Sequence, residues 1–104
     1  MRRKTQSFPH DVRATQARTS MRRVVSKLHF EHHPLVNRPV CAIVYQGEVL
    51  HFDRPEIEGL AKRALAQMLT TIPIDQLPHE GLEAFCRRRL IAYAASHVPN
   101  GWTI

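Results

Sequence analysis

At one point in this 104-residue chain, the tetrapeptide Asp53-Arg54-Pro55-Glu56, the spacing of apolar residues switches from every second position to the period of a helix. Upstream, Val40-Cys41-Ala42-Ile43-Val44-Tyr45 and Glu48-Val49-Leu50-His51-Phe52 flank Gln46-Gly47, the pattern of two strands joined by a two-residue turn. Gly47 supplies the positive φ that such a turn demands, although Gln46 is a poorer occupant of the first turn position than Asn or Asp. Counting outward from the turn fixes the register: Tyr45 faces Glu48, Val44 faces Val49, Ile43 faces Leu50, Ala42 faces His51, and Cys41 faces Phe52. Side chains alternate across a strand, so Cys41, Ile43, Leu50 and Phe52 share one face, the bulkier one and the expected core. Ala42, Val44, Val49 and His51 share the other. Downstream, Asp53 has the form of a helix N-cap, Pro55 falls in the first turn, and Glu56 takes the capping-box position. Ile57, Leu60, Ala61, Ala64, Leu65, Met68 and Leu69 then form a single helical stripe.

The rest of the chain is arranged around this hairpin–helix unit. Pro73 and Pro78 bound a loop, and a second helix is expected from about His79 to His97, with Leu82, Phe85, Cys86, Leu90 and Tyr93 on one face. The tail through Trp102 is expected to fold back on the body. Ahead of the hairpin, Val24, Ser26, Leu28 and Phe30 alternate with Val25, Lys27 and His29, which predicts a first strand ended by Pro34 and Pro39. Residues 1–20 show neither period and few apolar side chains, so they are expected to stay mobile. A chain of this length supports one domain. The expected fold is therefore α+β: a three-stranded antiparallel β-meander with two helices packed on one face (β-β-β-α-α), preceded by a flexible basic arm. The arm occupies 1–21 and the single domain 22–104.

Charge supplies the functional argument. The formal net charge is +6. Residues 1–27 carry Arg2, Arg3, Lys4, Arg13, Arg18, Arg22, Arg23 and Lys27 against Asp11 alone, whereas the remainder is nearly neutral. Such asymmetry points to a polyanionic partner. No stretch approaches the roughly 20 apolar residues of a membrane span, so no membrane partner is expected. Nothing resembling a secretory signal follows Arg2-Arg3, and Cys41 and Cys86 stand alone rather than in metal-binding pairs. A cytoplasmic protein with two reduced, buried thiols is expected.

No constellation carries a specific chemistry. His29, His32, His33 and His51 are the only cluster of potential metal ligands, and no carboxylate or thiolate is fixed beside them by spacing. A nuclease-type metal site built on Glu31-His32-His33 would need a further histidine on the following helix, and 55–70 has none. Cys41 with His51, or Cys86 with His97, forms a nucleophile–base pair only on paper, since both cysteines fall on core faces where thiolate is disfavoured. Arg89 falls within the apolar stripe of the second helix, where a guanidinium needs a partner or a route to solvent. No catalytic residue, metal or cofactor is assigned, and the chain reads as non-enzymatic. The leading expectation is a small nucleic-acid-associated binding protein, with Arg2, Arg3, Lys4, Arg13, Arg18, Arg22, Arg23 and Lys27 on phosphates. His29, His51 and Arg89 mark a further surface site. The alternative is a protein-interaction module or inhibitor, docking through the exposed sheet face, the second helix or the C-terminal tail.

Overall fold

The computed structural model describes residues 9–97. It is an α+β fold of three helices and one three-stranded antiparallel sheet: α1 (Pro9–Ser26), β1 (Glu31–His33), β2 (Arg38–Tyr45), β3 (Glu48–Asp53), α2 (Arg54–Thr71), a 3₁₀ turn (Ile74–Gln76) and α3 (Leu82–Ala95). The strands lie in the order β1-β2-β3.

The central hairpin has the register that its turn dictates, from Tyr45 opposite Glu48 to Cys41 opposite Phe52. Gln46 and Gly47 both take positive φ, 51° and 84°, the signature of a primed turn whose twist matches the flanking strands. Cys41, Ile43, Leu50 and Phe52 are buried beneath the helices, whereas Val44 and Val49 face outward. Asp53 then stops the strand and starts α2. Its carboxylate accepts the Glu56 amide at 3.0 Å, and the Glu56 carboxylate accepts the Asp53 amide at 3.1 Å, a reciprocal capping box. Ile57, Leu60, Ala61, Ala64 and Met68 of α2 are buried, and Leu65 and Leu69 lie half-buried at the margins of the stripe.

Three expectations are corrected. The basic segment is not a loose arm where it is described: residues 9–26 form α1. Pro9 opens that helix, a position where its missing amide costs nothing. Arg13, Ala17, Ser20, Met21 and Val24 make its buried stripe, at i, i+4, i+7, i+8 and i+11. Residues 1–8 lie outside the described chain, as does the tail from Val98 through Trp102. Second, Val24–Phe30 is not a strand. Helix continues to Ser26, and the first strand is the short Glu31–His33, joined to β2 by a turn in which Asn37 takes φ 55°. Asn tolerates that left-handed conformation better than most residues. Third, α3 starts at Leu82 rather than His79, because Gly81 sits at φ 72° immediately before it.

Three small or flexible side chains govern helix packing. Ala17 and Cys86 are fully buried against each other, and the Cys86 thiol donates to the Ala17 carbonyl at 3.8 Å, which brings α1 and α3 into close approach. Arg13, only 8% exposed, donates to the Leu77 carbonyl and meets the His79 ring, tying α1 to the connection between α2 and α3. Leu77 is itself buried, so the proline-bounded loop closes the core.

Candidate functional site

The structure divides the basic and imidazole side chains singled out by the sequence between two concavities. The first lies among the end of α1, the first turn of α3 and the β1 side of the sheet, with a volume of about 700 Å³. Lys27, His29, His32, His33 and His51 line it. Lys27, His29 and His51 thus border one cleft, His29 from the link between α1 and β1 rather than from a strand, whereas Arg89 does not line it. Lys27 and Glu83 form an ion pair at 2.6 Å that joins α1 to α3. His29 lies 3.4 Å from the Glu31 carboxylate, and both side chains are well exposed. His33 and His51 meet edge to face with ring centroids 5.4 Å apart, and His33 Nδ1 accepts the Leu35 amide. Among the described residues, no group of three or more His, Cys, Asp or Glu side chains is placed to hold a metal ion. The cationic and anionic side chains of this cleft balance: Lys27 and Arg87 stand against Glu31 and Glu83.

Cys41 also borders the cleft, but burial pushes its thiol above the ordinary range, opposed only in part by the nearby Arg54 guanidinium. A thiol held protonated is a poor nucleophile. Cys86 is deeper still, and burial followed by the negative charge of Glu83 raises it to about 11.

The second concavity is different in kind. It is a groove of about 680 Å³ between α1 and α2, with Arg18 and Arg22 on one wall and Arg54 and Lys62 on the other. One carboxylate, Glu58, joins them. Arg18 and Arg22 fall one turn apart on α1, so both project from the same side of the helix, next to the stripe that buries Ala17 and Met21. Arg54 is held in place differently: its guanidinium carbon lies 4.1 Å from the centroid of the Phe30 ring, a cation–π contact. Among the described residues, none of Arg18, Arg22, Arg54 or Lys62 has a carboxylate oxygen within ion-pair distance. The floor is apolar, formed by Met21 and Val25 of α1 with Ala61 and Leu65 of α2.

Of the other side chains expected at phosphates, Arg23 is exposed in the last turn of α1, outside the groove. Arg13 is consumed internally, and Arg2, Arg3 and Lys4 lie outside the described residues. Arg89 is half-buried on α3 with no ion-pair partner among the described residues. The sequence reasoning missed Arg54 and Lys62. Their signal was the polar face of α2, which gains meaning only once α1 is known to be a helix packed beside it. Comparison with family models, with curated proteins and with solved structures finds no match, so the chemistry of these two sites is read from their residues.

Proposed function

We propose that this protein binds nucleic acid without catalysing a reaction, and that it holds phosphates at the groove between α1 and α2. The observation that carries this reading is the gathering of Arg18, Arg22, Arg54 and Lys62 around one groove with a single carboxylate. Cations without a carboxylate partner among the described residues keep their charge available to a polyanion, and no ion pair among those residues must be broken for binding. The histidine cleft, whose charges balance, lacks that property. Affinity for a nucleic acid should fall linearly with salt on logarithmic axes, with a slope of about −0.9 per phosphate neutralised on a B-form duplex and about −0.7 on a single strand. Arg18→Glu with Arg22→Glu should weaken binding strongly and flatten the slope by roughly one to two units, whereas Arg23→Glu should do less. Equal binding by wild type and the double variant would overturn the assignment of the groove.

A second reading has its own observation. Val44 and Val49 face each other across β2 and β3 on the open side of the sheet, and they are 65% and 42% exposed. An exposed cross-strand pair of β-branched residues suits a protein partner, as in an interaction module or inhibitor. Binding through that face would be nearly indifferent to salt and would be lost in Val44→Ser with Val49→Ser.

A further inference from the structure

From the shape of the α1–α2 groove we infer that its ligand is single-stranded nucleic acid, with unpaired bases lying on the apolar floor. The inference rests on the reading of the groove as a phosphate site and specifies what kind of chain those phosphates belong to. A duplex offers a convex, charged exterior with its bases stacked inside. It would reach rim cations such as Arg18 and Lys62 and leave the floor uncovered. The floor is apolar nonetheless: the half-buried Val25 and Leu65 present apolar surface between the two cationic walls, with Met21 and Ala61 buried beneath them. Half-buried apolar surface flanked by cations matches a strand whose bases are free to turn away from their phosphates, because every base has an apolar face.

Arg54 adds a second argument. A guanidinium held over the Phe30 ring is fixed at the groove before any ligand arrives, and arginine planes stack on bases as well as pairing with phosphates. The groove volume, about 680 Å³, falls in the range of sites that take small organic groups.

The test compares three labelled probes by fluorescence anisotropy with the full chain at low salt. They are an oligothymidine of roughly 12 nucleotides, an abasic phosphodiester of equal length and a duplex of equal length. Oligothymidine should bind at least about tenfold tighter than either of the others, the equivalent of one base contact. Leu65→Ser should weaken oligothymidine binding by a larger factor than abasic binding, so that the preference shrinks. Val25→Thr, which keeps side-chain shape, supplies the same readout should Leu65→Ser fail to fold. If the duplex or the abasic strand binds as well as oligothymidine, and Arg18→Glu with Arg22→Glu abolishes all binding, the inference falls while the phosphate site stands. If no probe binds at low salt, both fall. If an acidic amphipathic peptide displaces oligothymidine and binds more tightly, the groove is a protein-docking site and the inference is overturned.

Discussion

The buried Cys86 thiol predicts a fold that loses stability in alkali. The thiol is raised from 9.0 to about 11, first by burial and then by the charge of Glu83. A raised value means that the folded protein keeps the proton longer than the unfolded chain does. The stabilisation is therefore fully present below about 9 and is lost as pH climbs toward 11. Cys41 shifts in the same direction. Between about pH 8 and pH 10.5, the urea midpoint should fall further for wild type than for Cys86→Ala, whose absolute stability is lower but lacks this titration. The turn offers a contrasting case, because strain there is local. Gly47 has open space where a side chain would begin, yet its backbone sits at φ 84°, so Gly47→Ala should cost about 1–2 kcal/mol through conformation alone. Gln46, at φ 51°, is the reverse opportunity, and Gln46→Asn should raise the melting temperature.

At the scale of elements, α2 and the hairpin were legible because each carries a redundant signal. The capping box, the apolar stripe and the turn all agree, and the expected register is the observed one. Helix α1 was not legible, for a physical reason. Its buried positions are Arg13, Ala17, Ser20, Met21 and Val24, of which only two are large and apolar. A helix whose contact face is small serves close approach rather than hydrophobic bulk, so its stripe hardly registers in a hydrophobicity count. Val24 and Val25, adjacent and both packed against the core, then mimicked the start of an alternating strand. The same packing sets the cost of substitutions. Ala17→Leu should cost about 1–3 kcal/mol by overpacking the Ala17–Cys86 contact. Leu60→Ala, in the fully buried centre of α2, should cost about 2–5 kcal/mol, against no more than roughly 0.5 kcal/mol for the exposed Gln67→Ala. Chemical denaturation of the three variants checks both expectations.

Across the whole molecule, the candidate site was half legible. The sequence located the cationic excess and the residues Arg18 and Arg22, but a groove needs two walls, and the second wall depends on a helix–helix contact that no local pattern encodes. The same contact predicts an order of opening. The face of α1 is weak in apolar area, so its amides should exchange with solvent at lower protection than those in the centre of α2, which native-state hydrogen exchange will show. The partner that seats α1 also comes late: the Ala17–Cys86 contact joins residues 69 positions apart. During synthesis at about 5–20 residues per second, Ala17 waits roughly 3 to 14 seconds for Cys86 to be made. Through that interval the ribosome carries an arginine-rich segment without the α3 surface against which Ala17 packs. A product terminated before α3 would hold every one of the groove's cations, on α1 and α2, and lack the helix against which Ala17 packs.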